Sequence, residues 1–258
     1  MKLVRFQARD RIAYGILNSD EVIELDGGPF SLKERSTRHP LYGVRLLAPC
    51  EPSKIVAVGL NYSDHARELD MQVPDNPILF LKPPTTVIGP GEPIVSPAMS
   101  SQVDHEGELA IVIRDRIHCI SPGEARQHIL GYTCANDVTA RDLQKKDGQW
   151  TRAKSFDTFC PVGPWIETAV NPDDLLIETL VNGHLRQSSR TSQFIFGVDL
   201  LVSFISQVMT LVPGDLIITG TPAGIGPMKP GDTVEVRIQG IGSLKNSVIS
   251  DSELRIAE

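Results

Sequence analysis

The pattern of apolar and polar positions divides this chain into a strand-rich opening, a mixed middle and a strand-rich end. Residues 3–6, 11–17 and 22–25 are short runs with the composition of β-strands, and Asn18-Ser19-Asp20 and Asp26-Gly27-Gly28-Pro29 separate them with turn residues. Residues 31–42 are polar and weakly patterned. The stretch from Pro49 to Pro52 marks a boundary. A small β-rich domain over residues 1–52 is therefore expected, followed by one larger domain over 53–258.

Past that boundary, Ile55-Val56-Ala57-Val58 reads as a buried strand and residues 61–69 as a short polar helix with N-cap candidates at its start. Residues 78–81 and 87–88 read as strands set apart by Pro83-Pro84. Residues 122–130 carry helical signals, with Ser121 as cap and Pro122 in the first turn. Asn182-Gly183, between runs at 175–181 and 184–187, is a hairpin signal because both residues tolerate positive φ. Residues 196–211 show helical apolar spacing and stop at Pro213-Gly214. The end is again β, at 216–219, 233–238, 243–248 and 253–256. Many strands, few helices and 19 prolines predict a mainly β architecture with α+β elements.

Composition narrows function more than fold. The hydrophobic fraction of 41% and charged fraction of 22% are those of an ordinary soluble globular chain. A net charge of -7 leaves no basic footprint, so no nucleic-acid partner is expected. Cys50, Cys119, Cys134 and Cys160 are scattered and form no C-x-x-C pair, which argues against a disulfide framework or a zinc knuckle. The opening residues lack the apolar core of a signal peptide, and no apolar run reaches bilayer-spanning length. A cytoplasmic protein with no membrane partner is the expectation.

Candidate chemistry begins at Asp104-His105-Glu106-Gly107-Glu108, which runs directly into apolar residues 109–113. Side chains of a strand repeat every second residue, so Glu106 and Glu108 would share a face. Two adjacent carboxylates repel unless a cation lies between them. Asp137 supplies a third. Carboxylates without thiolates suit a hard divalent cation, Mg²⁺ or Mn²⁺ before Zn²⁺. The same spacing also suits a solvated strand edge, and burial separates the two readings. His65 and Glu68, three residues apart, share a helix face and form a candidate water-activating dyad. Arg141 and Gln144 follow Asp137 closely enough to face one pocket with it. Lys154, among small and aromatic residues, is placed to steady negative charge on a substrate oxygen. The glycine-dense segment 220–226 lets backbone amides approach an anion.

These blocks together resemble the fumarylacetoacetate hydrolase family. The match is carried in order by Gly59-Leu60-Asn61-Tyr62-Ser63-Asp64-His65-Ala66-Arg67-Glu68, by Pro77-Ile78-Leu79-Phe80-Leu81-Lys82-Pro83, by residues 104–109, by 136–144 with 154–161, and by 219–226. The resemblance implies a mixed β-roll or β-sandwich, usually in a homodimer. It implies metal ligands at Glu106, Glu108 and Asp137, a catalytic dyad of His65 and Glu68 on a lid that orders over substrate, and substrate-oxygen contacts from Arg141, Gln144, Lys154 and Thr221. It implies Mg²⁺- or Mn²⁺-dependent hydrolysis of a C–C bond in acylpyruvate-like 2-oxo acids through a metal-stabilised enolate. Oxaloacetate decarboxylation and 2-hydroxyhepta-2,4-diene-1,7-dioate isomerisation share that intermediate. The short N-terminal region departs from the large SH3-like domain of true fumarylacetoacetases, and Ala223 stands where some relatives carry a basic residue. All motif residues are in place, which argues against a binding protein that has lost turnover.

Overall fold

In the computed structural model, which describes residues 1–68, 70 and 72–253, the strand-rich opening and the middle of the chain share one 12-stranded sheet. Strand Lys2–Ala8 pairs on one side with Arg11–Asn18 and on the other with Cys160–Glu167, both antiparallel. The first residues are thus hydrogen-bonded into the sheet that carries the later chemistry. From Cys160–Glu167 the sheet continues through Ile129–Asn136, Gly107–Ile113, Leu216–Ile218, Ile55–Gly59 and Ile78–Lys82. A five-stranded sheet built on Leu176–Val181 and Thr233–Ile238, and a three-stranded one built on Val103–His105, complete the mixed β architecture expected from the sequence.

The strand Gly107–Ile113 shows why the core sits where it does. All seven of its residues are buried. Leu109, Ile111 and Ile113 face a core shared with Ile177, Val236 and the helix Val198–Val208, whereas Ala110 and Val112 face a second core with Ile55, Ile166 and Leu216. A period of two with both faces buried reads in sequence as an unbroken apolar run.

Several elements differ from expectation for identifiable reasons. The weakly patterned residues 31–42 include the strand Glu34–Pro40, in which every side chain except His39 is exposed, so burial imposes no alternation. The helical signal at 122–130 resolves into a 3₁₀ helix, Pro122–His128, with its Ser121–Glu124 capping box, and a strand begins at Ile129. The polar helix is Ser63–Glu68, and Leu69 lies outside the described residues. Of the expected terminal strand, Glu253 belongs to a helical turn, and 254–256 lie outside the described residues. Asn182, with φ 53°, turns the expected hairpin. All four cysteines are free. Among the described residues no helix is long and apolar enough to cross a membrane.

Candidate active site

The site forms where the large sheet hands the chain to the three-stranded one. Antiparallel pairing sets Gly107 opposite Asn136 and Glu108 opposite Ala135. Glu106 lies in the break between Val103–His105 and Gly107–Ile113, not inside one strand as the alternation argument supposed. Its backbone is fixed there: the Asp137 N–H donates to the Glu106 carbonyl at 2.8 Å, and the Glu106 N–H donates to Asn136 Oδ1 at 2.9 Å. Gly107 lets the chain pass close to the neighbouring sheet, because a Cβ at that position would lie 2.0 Å from Thr179 Oγ1. The three carboxylates still converge, each offering an oxygen within 4.8 Å of the others. They are 6%, 1% and 1% exposed for Glu106, Glu108 and Asp137, so the solvated-edge reading fails.

Buried charge of this density needs compensation. Lys154 is buried, not a surface lysine. Its Nζ donates to Glu106 Oε2 at 2.9 Å and to Asp137 Oδ2 at 2.5 Å. Lys82 Nζ meets Asp137 Oδ1 at 2.5 Å from the other side. Arg141 donates through Nε to Asp104 Oδ2 at 2.9 Å, through Nη1 to Gln144 Oε1 at 2.6 Å, and through Nη2 to Glu106 Oε1. Burial alone would raise the Glu106 carboxyl, but Lys154 and Arg141 outweigh it and hold it at about 2. Glu108 behaves oppositely. Burial, then the charges of Asp137 and Glu106, push its carboxyl well above the usual range. Its one hydrogen bond from the described residues is the Gly220 N–H at 2.7 Å. Gly220 has φ +93°, a conformation costly to any residue with a Cβ.

Glu108 is therefore a buried carboxylate beside two others with no cationic side chain of its own. Three oxygen donors, one of them unpaired with protein charge, fit a hard divalent cation of the Mg²⁺ or Mn²⁺ type.

The dyad reaches this centre through the parallel pairing of Ile55–Gly59 with Leu216–Ile218. Both chains leave the sheet at the same end, one into the Ser63–Glu68 helix and the other into the glycine-dense loop. Leu60, with φ 47°, makes the turn into the helix. Asn61, fully buried, is a strut rather than a cap: its Nδ2 donates to the Thr219 carbonyl at 2.8 Å, and its Oδ1 accepts the Phe196 N–H at 2.8 Å. His65 Nδ1 and Glu68 Oε2 are 2.9 Å apart, and Glu68 also accepts the Gly224 N–H at 3.0 Å. The glycine loop thus does bring amides to anions, and the anions are Glu68 and Glu108.

A cavity of about 290 Å³ collects most of the expected residues. Glu106, Glu108, Asp137 and Lys154 line one end; His65, Arg141, Gln144 and Thr221 also line it. Glu68 reaches it only through His65. The Thr221 hydroxyl is engaged, donating to the Gly107 carbonyl at 3.0 Å and accepting from Gln187 Nε2 at 2.8 Å. Phe80 and Trp150, packed edge-to-face with centroids 5.1 Å apart, form an apolar wall, and Lys154 Nζ lies 5.0 Å from the Phe80 ring centre. Sequence reasoning gave no role to Lys82, Gln187 or Asp104. A lysine that closes an apolar strand before two prolines is the only local trace of Lys82, and its partner Asp137 is 55 positions away.

Comparison with known proteins is consistent with this geometry. The family described as "Fumarylacetoacetate (FAA) hydrolase C-terminal" matches residues 54–249, and an N-terminal family described as Rv2993c-like matches residues 1–49. A 5-carboxymethyl-2-hydroxymuconate delta-isomerase from Mycobacterium smegmatis superposes with a TM-score of 0.93 at 47% identity, covering 97% of this chain and 100% of that one. A maleylpyruvate hydrolase from Sphingobium sp. SYK-6, in complex with manganese(II) ion and pyruvate, superposes at 0.82 with 31% identity, covering 97% and 99%. A mitochondrial oxaloacetate tautomerase of Rattus norvegicus is 41% identical over 222 residues, 81% of this chain and 71% of the relative. This chain belongs to the fumarylacetoacetate hydrolase family.

Proposed function

We propose that this cavity hydrolyses a C–C bond of acylpyruvate-like 2-oxo acids, with Glu106, Glu108 and Asp137 holding Mg²⁺ or Mn²⁺. The observation that carries this reading is the His65–Glu68 contact of 2.9 Å in a cavity that also holds the three carboxylates. When bound, the cation supplies Lewis acidity to the carboxylate and keto oxygens of the substrate. A maleylpyruvate hydrolase in complex with manganese(II) ion and pyruvate supports a divalent cation and a 2-oxo acid in this reading.

The protein's own groups account for the rest. An ammonium has three donors, and Lys154 gives two to Glu106 and Asp137. The third is offered to the 2-oxo oxygen, into which the electrons of the breaking bond pass. With Nδ1 held by Glu68, the His65 Nε2 is the ring nitrogen left for the cavity. It takes a proton from the water that attacks the distal carbonyl. Glu68 fixes the ring and stabilises the imidazolium that results, while the Gly224 N–H keeps Glu68 in place. Breaking the bond leaves a carboxylic acid and the enol of pyruvate, which gains a proton at carbon. No lining residue comes from residues 1–52, so the chemistry rests on 53–258.

A second reading is proton transfer without water attack. The oxaloacetate tautomerase relative favours it, and in this reading the His65–Glu68 dyad moves a proton between carbon and oxygen. One assay separates the readings: acylpyruvates and oxaloacetate are supplied with Mg²⁺ or Mn²⁺, and pyruvate release is followed beside enol–keto interconversion. Acylpyruvate cleavage that EDTA abolishes is expected. Interconversion without cleavage would favour the second reading, and no turnover of any 2-oxo acid would sink both. Light scattering tests the homodimer implied by the family.

A further inference from the structure

One buried side chain joins the carboxylate end of the site to the dyad without lining the cavity. In the strand His184–Arg190, Gln187 is buried and every other residue is exposed or half-buried. A bulge turns it inward: Thr179 pairs with Gln187 and Leu180 with Leu185, which leaves Arg186 as the extra residue. Gln187 hydrogen-bonds to none of Glu106, Glu108, Asp137, His65 or Glu68; its partners are the backbone and side chains that hold them.

The hydrogen bonds of its amide fall into two pairs. Oε1 accepts the Gly107 N–H at 3.0 Å and lies 3.2 Å from His105 Nδ1. Nε2 donates to the Thr221 hydroxyl and to the Pro222 carbonyl, each at 2.8 Å. A peptide N–H only donates and a peptide carbonyl only accepts, so the amide has one orientation and His105 Nδ1 carries the proton. Both donors and both lone pairs of the amide are then in use. The first pair falls on either side of Glu106, and Gly107 is the residue between Glu106 and Glu108. Thr221 closes the clamp by donating to the Gly107 carbonyl at 3.0 Å. The second pair falls between Gly220, whose N–H holds Glu108, and Gly224, whose N–H holds Glu68. The loop also rests on the strand itself, since a Cβ at Gly224 would lie 2.2 Å from the Arg186 carbonyl oxygen.

We propose that Gln187 is a positioning residue that holds the His65–Glu68 dyad at a fixed distance from the three carboxylates. It acts through the glycine loop and touches neither substrate nor cation. This inference rests on the reading of the dyad and the carboxylates as one catalytic centre. It does not depend on which bond is broken. A glutamine that only satisfied buried polar groups at the edge of a sheet would add stability and leave the rate of the folded enzyme unchanged.

The test compares Q187M and Q187N with wild type, all Mn²⁺-loaded. Methionine keeps the length and loses every hydrogen bond. Asparagine keeps the amide but is one methylene short, so it serves one pair at a time, and it leaves a polar group in place should Q187M fold poorly. Amide hydrogen exchange is followed by mass spectrometry. In both variants the peptides covering 219–226 and 63–68 should exchange about tenfold faster, as expected for losing one or two neutral hydrogen bonds. The kcat for 2-oxo acid turnover should fall by about tenfold to a hundredfold, the cost of a catalytic group displaced by about 1 Å, while KM stays within about threefold because the groups that bind substrate remain. Unchanged exchange over 219–226, a gain spread evenly over the whole chain, or faster exchange there with an unchanged kcat overturns the inference. A wild type that turns over no 2-oxo acid would refute the proposed function, and the exchange pattern alone would then decide whether Gln187 ties the loop to the carboxylates.

Discussion

Replacing Glu68 by glutamine isolates the dyad with little change of shape. The side chain still accepts a hydrogen bond from His65 Nδ1 or from the Gly224 N–H, so the helix remains tethered. What is lost, on the proposed mechanism, is the negative charge next to the imidazolium formed when water is deprotonated. Unit charges about 4 Å apart attract by about 1 kcal/mol in water and about 4 kcal/mol near a protein surface. The His65 side chain is 8% exposed and that of Glu68 39%, so solvent screens the pair in part. An intermediate value of about 2–3 kcal/mol corresponds to a roughly 30- to 150-fold slower hydrolysis. Oxaloacetate decarboxylation deprotonates no water and should fall by less than about threefold. The assay compares kcat for both reactions in wild type and Glu68→Gln at saturating Mg²⁺, with thermal melts to confirm equal folding. Equal losses in the two reactions would refute the argument and make the dyad a clasp for the helix. An unchanged hydrolysis rate would remove Glu68 from the mechanism.

Three further outcomes are expected. At a pH between the ordinary carboxyl value of 4.5 and the raised one of Glu108, folding takes up a proton there; that contribution to stability is complete below 4.5 and is lost as pH rises through the raised value. Metal-free Glu108→Gln should therefore melt higher than wild type at pH 8 and gain nothing from Mn²⁺, as read by thermal melts with and without the ion. Wild-type Mn²⁺ affinity should fall as pH is lowered, with proton release on binding, measured by calorimetry in buffers of different ionisation enthalpy. Lys154→Met leaves Glu106 and Asp137 without their shared ammonium and should cost about 3–5 kcal/mol in metal-free urea unfolding, part of it recovered by Mn²⁺, while slowing hydrolysis and decarboxylation alike.

The sequence made legible those elements whose burial leaves a local mark. Ile55–Gly59 and the Asn182-Gly183 hairpin are of this kind. Ile129–Asn136 and Cys160–Glu167 are not. They are central and almost wholly buried, yet Gly, Thr, Asn and Pro interrupt their apolar residues, so neither reads in sequence as an unbroken apolar run. In the site, residue type marked the three carboxylates although the strand spacing assumed for Glu106 and Glu108 does not hold, and helical spacing brought His65 and Glu68 together. The compensating charges were harder. Arg141 and Lys154 stand near Asp137 in sequence, but Lys82 joins it only through the order of strands in the sheet. Gln187, which accepts from the Gly107 N–H and donates to Thr221, lies 80 positions from Gly107 and has no local signature.

The parallel pairing of Ile55–Gly59 with Leu216–Ile218 also sets the order in which the site can be made. As the chain emerges from the ribosome, Ile55–Gly59 can pair at once with Ile78–Lys82, its antiparallel neighbour. Its other edge must wait for Leu216–Ile218. Throughout that interval an apolar strand has one open side, and non-local parallel pairing of this kind is slow and exposed to aggregation. The glycine loop that holds Glu68 and Glu108 follows Leu216–Ile218 directly. A nascent chain that ends before it has the acidic triad and the His65 helix but no loop to tether either, so the assembled centre waits until the glycine loop has been made.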